Sequence, residues 1–172
     1  MERVKQHKGV NDVYTPEDVL RECDILQNIN HQNIVKFIEL FNHAGKYYVI
    51  TEYIDGRELF DYLLPYNRSG KDVDKKIVQS IMIGLLDGVE YIHSKGVIHF
   101  DLSIENIILR KIQGITGTTI IPTIIDFGMA QKVSTLEIDY NHPPGKPGYM
   151  APELIGDCEA DQRVDIYSLG II

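Results

Sequence analysis

His99-Phe100-Asp101-Leu102-Ser103-Ile104-Glu105-Asn106, followed twenty residues after Asn106 by Asp126-Phe127-Gly128, is the stretch on which the reading of this chain turns. It sets two acids and an amide around β-branched runs. Ile104 to Leu109 and Thr119 to Ile125 read as short strands about a Gly- and Thr-rich turn, because β-branched residues suit a pleated, half-buried surface. Downstream, Phe127 to Gly148 is rich in Pro and Gly and reads as loop. A loop that long inside a compact domain is expected to be functional.

Working outward, Ile77, Val78, Ile81, Leu85, Leu86, Val89 and Ile92 recur at near-helical spacing between Lys75 and His93, which predicts a long, largely buried helix. Before it, Ile34–Phe41 and Tyr47–Tyr53 flank Asn42-His43-Ala44-Gly45-Lys46, a hairpin signature. Val19, Leu20, Ile25 and Leu26 among charged neighbours predict an amphipathic helix from Asp18 to Leu26, capped at Thr15 with Pro16 and Glu17 following. No internal repeat is visible.

The 172 residues, 44% hydrophobic, suffice for one domain or two small lobes about a shared cleft. A net charge of −8 argues against nucleic-acid or membrane-surface binding, which need a basic face. Cys23 and Cys158 have no metal-type spacing, and a reducing, cytoplasmic compartment is the simpler expectation. No apolar run reaches bilayer length, and the sequon Asn67-Arg68-Ser69 reads as chance.

In order along the chain stand Glu22, His99-Phe100-Asp101 with Asn106, Asp126-Phe127-Gly128, Ala151-Pro152-Glu153, and Asp165-Ile166-Tyr167-Ser168-Leu169-Gly170. From about Lys5 to Ile172 this resembles the eukaryotic-type protein kinase family, and the joint order is far more specific than any one tripeptide. The resemblance implies an α+β, bilobal fold with a small β-rich N-lobe and a mainly α-helical C-lobe, incomplete at both ends. The N-lobe and hinge would occupy 1–54 and the C-lobe 55–172. It implies ATP and Mg2+ as cofactors and a protein as substrate. Phosphoryl transfer requires metal-binding oxygens, a group to orient the attacking hydroxyl and a cation on the phosphates. By motif match Asp101 accepts the hydroxyl proton, Asn106 binds one magnesium, and Asp126 binds the metal bridging the phosphates. Each would otherwise be a solvated loop residue.

Glu22 resembles the helix glutamate paired with a phosphate-holding lysine; Lys5 is the preferred partner and Lys8 its competitor. Tyr48 to Ile54 looks like the strand and hinge that meet adenine, with Thr51 as gatekeeper and the backbone of Glu52 and Ile54 on the base edge. The alternative is simply a buried strand. Glu58 is placed at the ribose, and Ile108 joins the nucleotide-site residues. Leu26, Phe37, His99 and Phe127 match the apolar stack joining the lobes, anchored by Asp165, although most would be core in any fold.

Three departures bear on mechanism. Phe100 replaces the family's Arg that grips a phosphorylated loop, so phosphates on Ser134, Thr135 or Tyr140 would lack their main local partner. Ser103 replaces a lysine, and Lys146 stands where the family commonly has Thr. Lys146 is expected to supply the missing cation, against the alternative of two unrelated drifts. No glycine-rich loop precedes Lys5, and the chain stops at Ile172 within a helix whose apolar face needs cover. A piece of a longer protein, inactive or nearly so alone, is the expectation. The Gly145-Lys146-Pro147-Gly148-Tyr149-Met150-Ala151-Pro152-Glu153 segment resembles the Ser/Thr substrate loop more than the tyrosine-kinase form, which has a Trp before Ala-Pro-Glu, and the strand and hinge are similar to calcium/calmodulin kinases. A pseudokinase, binding or scaffolding without transfer, is the alternative; a small-molecule kinase fits less well with Ala151-Pro152-Glu153.

Overall fold

The computed structural model describes residues 3–5, 15–114, 117–156 and 159–172, with only the backbone strand described at 3–5. Lys8, Cys158 and the Lys5 side chain therefore lie outside the described residues. Strand β1 (Arg3–Lys5) precedes helix α1 (Pro16–Leu26), which begins as its sequence predicts. Thr15 Oγ1 accepts from the Asp18 amide at 3.2 Å while Asp18 Oδ2 accepts from the Thr15 amide at 2.9 Å, a reciprocal capping box. Val19, Ile25 and Leu26 are buried; Leu20, also read as apolar-face, is exposed.

Strands β2 (Phe37–His43) and β3 (Lys46–Thr51) form the expected hairpin, and β1 adds to the free side of β3 in the order β1-β3-β2. Their turn is tighter than the five-residue signature, because His43 pairs with Lys46 and only Ala44 and Gly45 lie between. Both have positive φ, 51° and 74°, the backbone that matches strand twist in a two-residue turn. Strand β2 starts and ends later than read, and β3 starts and ends earlier; Ile34 to Lys36 is not strand but a crossing segment, tied to β7 by Val35 N–H donating to the Ile124 carbonyl at 2.9 Å and Ile124 N–H to the Asn33 carbonyl at 2.8 Å.

After β4 (Gly56–Glu58) comes α2 (Leu59–Ser69), a helix the sequence pattern does not announce. It carries Pro65 within it and buries only Leu59 completely, so both the periodic and the breaker signals point elsewhere. Helix α3 (Lys75–Ser94) buries Ile81, Leu85, Val89 and Ile92, but Val78 and Leu86 are exposed, so its apolar stripe is narrower than expected. Gly84 and Gly88 let α3 lie directly on the strand beneath it: a Cβ at 84 would come within 2.6 Å of the Pro122 ring, and one at 88 within 3.2 Å of Ile124. Asn33 closes this contact by donating to the Pro122 carbonyl at 2.7 Å.

Beyond β5 (Val97–Ile98), β6 (Ile107–Gly114) and β7 (Gly117–Ile124) form the second hairpin, joined by β4 in the order β4-β6-β7. Ile104 is in the preceding turn rather than the strand. The segment read wholly as loop contains β8 (Gln131–Lys132), paired with β5, and a 3-10 turn at Val133–Thr135. Helix α4 (Arg163–Ile171) buries Val164, Asp165, Ser168 and Leu169 and exposes Ile166, Tyr167 and Ile171. The main core runs from α1 through β6 and β7 to α3, with Phe127 at its centre, fully buried.

Candidate active site

The turn before β6 holds Asp101 and Asn106 together. Asn106 Nδ2 donates to the Asp101 carbonyl at 2.8 Å and to its Oδ2 at 2.7 Å, and the Asn106 amide donates to Ser103 at 3.0 Å. The Ile125 amide donates to the Asn106 carbonyl at 2.9 Å, which brings the end of β7, and with it Asp126, beside the pair. Burial pushes the Asp101 carboxyl up and the Asp126 charge adds to this; the buried His99, Asn106 and the Lys146 ammonium act downward, and the net direction is up. Asp126 adopts φ 65°, a left-handed backbone that a non-glycine residue takes at some cost and that recurs at functional sites.

A cleft enclosing about 470 Å³, part of it open to solvent, is lined by Glu22, Leu26, Val35, Val49, Thr51, Glu52, Ile54, Ile108, Ile125 and Asp126. Glu22, Thr51, Glu52, Ile54, Ile108 and Asp126 thus line one cleft. Glu58 does not line the cleft; it sits in β4 opposite Ile108, at the N-cap position of α2, with no capping hydrogen bond from its side chain. Glu52 spends its amide on the Lys36 carbonyl at 2.9 Å, and its carboxylate reaches Arg110 at 3.0 Å and the Lys36 amide at 3.2 Å. What Glu52 offers a base edge is therefore its carbonyl. Glu22 is buried in α1, and the Lys5 backbone lies opposite Val49 in the sheet.

The sequence reading does not place Leu26, Val35 or Ile125 at the cleft, and it includes Val49 only as part of the strand that meets adenine. Of these only Val49 had a signal, since it stands two residues from Thr51 on the same strand face.

Behind the cleft, His99 packs edge-on against Phe127 with ring centroids 4.7 Å apart, and Leu26 and Phe37 belong to the same apolar cluster. Asp165 accepts from the His99 and Phe100 amides, each at 2.9 Å, and from His93 Nε2 at 2.8 Å. These bonds hold Phe100 at φ 65°. Its ring is buried with Ile98, Ala151, Leu154 and Val164, and Leu136, Ile138 and Met150 pack on that cluster. Lys146 pairs with Glu105, Nζ to Oε1 2.5 Å, at the mouth near Asp101.

Helix α1 is tied to the segment after Asp126: Arg21 Nε donates to the Ala130 carbonyl at 3.3 Å, and Lys132 pairs with Asp24.

The family model for the protein kinase domain matches residues 2–172. Among curated relatives, "Probable serine/threonine-protein kinase 2" of Plasmodium falciparum is 35% identical over 90% of this chain and 28% of its own length. "Serine/threonine-protein kinase TIO" of Arabidopsis thaliana is 32% identical over 98% and 12%, and "Calcium/calmodulin-dependent protein kinase cmkA" of Emericella nidulans 34% over 90% and 35%. The chain spans about a third or less of the length of these relatives. With the family model covering nearly every residue, and the hydrogen-bonded Asp101 and Asn106 standing beside Asp126 on an α+β frame, the chain belongs to the protein kinase domain family.

Proposed function

We propose that this chain is the catalytic domain of a protein serine/threonine kinase, with 1–54 as N-lobe and hinge and 55–172 as C-lobe, and that the full-length protein transfers the γ-phosphoryl of Mg-ATP to a protein hydroxyl. The observation that carries this is the Asp101–Asn106 pair, held beside Asp126 at a cleft with apolar walls. The donor set suits the cofactors. Leu26, Val35, Val49, Ile54 and Ile108 offer apolar surface to a base, while Glu22 and Asp126 repel phosphate unless cations intervene. An amide oxygen and a carboxylate are the hard ligands that magnesium takes alongside phosphate oxygens.

In this reading the Asn106 amide oxygen, its nitrogen committed to Asp101, and the Asp126 carboxylate would be the magnesium ligands. Bound magnesium neutralises charge on the phosphates during transfer. The Glu52 carbonyl and Ile54 amide meet the adenine edge beneath Thr51, and Glu22 orients the Lys5 ammonium. Asp101 accepts the hydroxyl proton, its carboxylate held in place by Asn106. Lys146 contributes a cation at the mouth.

The test is phosphoryl transfer from ATP to a generic basic protein by the full-length protein, beside Asp126→Ala. Transfer that falls at least about a hundredfold in the variant supports the reading. No transfer by the wild type, with Mg-ATP binding retained, replaces it with a pseudokinase.

A further inference from the structure

The exchange at positions 103 and 146 leaves a group unaccounted for, Glu105. Its Oε1 meets Lys146 Nζ at 2.5 Å, while its Oε2 is buried. The Ser103 hydroxyl is buried as well, and neither it nor Glu105 Oε2 meets a partner at hydrogen-bonding geometry among the described residues. That hydroxyl is nevertheless one of the groups acting on the Glu105 carboxyl, so the two are close neighbours.

The other side of the pair is fixed too. Gly145 has φ 114°, and a Cβ there would come within 2.7 Å of the Phe100 carbonyl, so the backbone carrying Lys146 rests against the backbone carrying Asp101. An ordinary surface ion pair loses much of its worth to the entropy of two free side chains. Here the Glu105 side chain is 36% exposed, but one of its carboxylate oxygens is buried and the backbone before Lys146 rests on the start of the turn that carries Glu105, so less freedom remains to lose.

We propose that Glu105 is a positioning residue that holds the Lys146 ammonium at the mouth of the site beside Asp101, and that Ser103, small and buried, leaves room for this carboxylate. Carboxylate and ammonium then act as one unit. Without Glu105 the Lys146 side chain would swing freely into solvent, since it is already 42% exposed. The inference rests on the phosphoryl-transfer reading above for its consequence, but the placement of Lys146 can be judged without nucleotide.

Two measurements on the full-length protein test it. In nucleotide-free protein, the side-chain ammonium of Lys146 should give an NMR signal whose hydrogen exchange is slowed by its bond to Glu105, a protection lost in Glu105→Gln, whose thermal midpoint serves as the folding control. In steady-state kinetics, Glu105→Gln and Lys146→Met should each lower kcat about tenfold with KM for ATP within about twofold, and the double variant should lose little more than either single one, as members of one unit do. Lys146→Arg should retain most of the rate. An ammonium as exposed in the wild type as in Glu105→Gln overturns the positioning role whatever the activity, and so do single losses that multiply in the double variant. A protected ammonium in a protein that transfers nothing upholds the placement and removes the phosphoryl-transfer reading instead.

Discussion

At the scale of single residues, His99 has a protonation state fixed by its neighbours. Its Nε2 faces the Ile125 carbonyl at 3.2 Å and must donate, while its Nδ1 faces the Asp101 amide at 3.2 Å and must accept. Only the neutral ring protonated on Nε2 satisfies both. Complete burial pushes its pKa below the ordinary value of 6.5, with Asp165, Asp101 and Asp126 opposing more weakly. A depressed folded-state value favours the unfolded chain once that chain begins to bind the proton, so this contribution to stability is intact above pH 6.5 and falls away as the pH drops below it. Nitrogen shifts of the imidazole should show the Nε2–H tautomer persisting below pH 6.5; protonation at the ordinary value would contradict this. Sequence made Asp101, Asn106 and Asp126 legible because their chemistry is written in their side chains and their order. It could not make Glu105 legible, because its partner lies 41 residues away and only the fold brings them together. Val35 and Leu26 are cleft walls by position alone, which no side-chain type announces.

At the scale of elements, the segment between Asp126 and Ala151 is fastened by apolar contact where the family's Arg would use charge. Phe100 is buried among Leu154, Ala151 and Val164, with Leu136 and Ile138 of that segment packed on the same cluster. Removing a buried Phe ring costs about 3 kcal/mol or more. In the nucleotide-free full-length protein, Phe100→Ala should raise amide exchange across residues 136–154 by about a hundredfold, the equivalent of some 2.7 kcal/mol. The converse prediction concerns phosphate. Phosphatase treatment, or Ser134→Ala with Thr135→Ala, should leave the transfer rate within about twofold, because the segment is held without a phosphate partner. A rate that collapses on dephosphorylation would show that the apolar anchor is insufficient. The elements themselves were legible where a local rule dominated: the Thr15 box started α1 and the β-branched runs made both hairpins. Helix α2 was not, since Pro65 signals a break yet lies inside the helix, and β8 is a two-residue strand whose existence depends on β5 across the fold.

At the scale of the whole molecule, one carboxylate joins α3, the catalytic turn and α4. Asp165 is fully buried, and its two oxygens take the His99 and Phe100 amides and His93. Those bonds oppose the tendency of Phe100 to leave its left-handed backbone, which in turn sets where Asp101 begins. The resemblance named Asp165 as an anchor, but the third arm, from His93 on α3, emerged only in the structure. Asp165→Asn keeps size and loses function as an acceptor on one side: its amide nitrogen must face the Phe100 N–H in one orientation and the His99 N–H, with His93, in the other, and a donor against a backbone donor in a buried site leaves both unsatisfied. Breaking such a buried network costs about 3 kcal/mol, which for a domain of this size lowers Tm by roughly 10 °C. The same variant should lose transfer while retaining nucleotide binding, because the apolar walls at Leu26, Val35, Val49, Ile54 and Ile108 make no contact with Asp165, which reaches the cleft only through His99 and the Ile125 carbonyl. Thermal unfolding and nucleotide titration of the full-length Asp165→Asn protein decide it. A midpoint unchanged within about 2 °C would mean that the three arms are held in place by packing, with Asp165 contributing little to the junction.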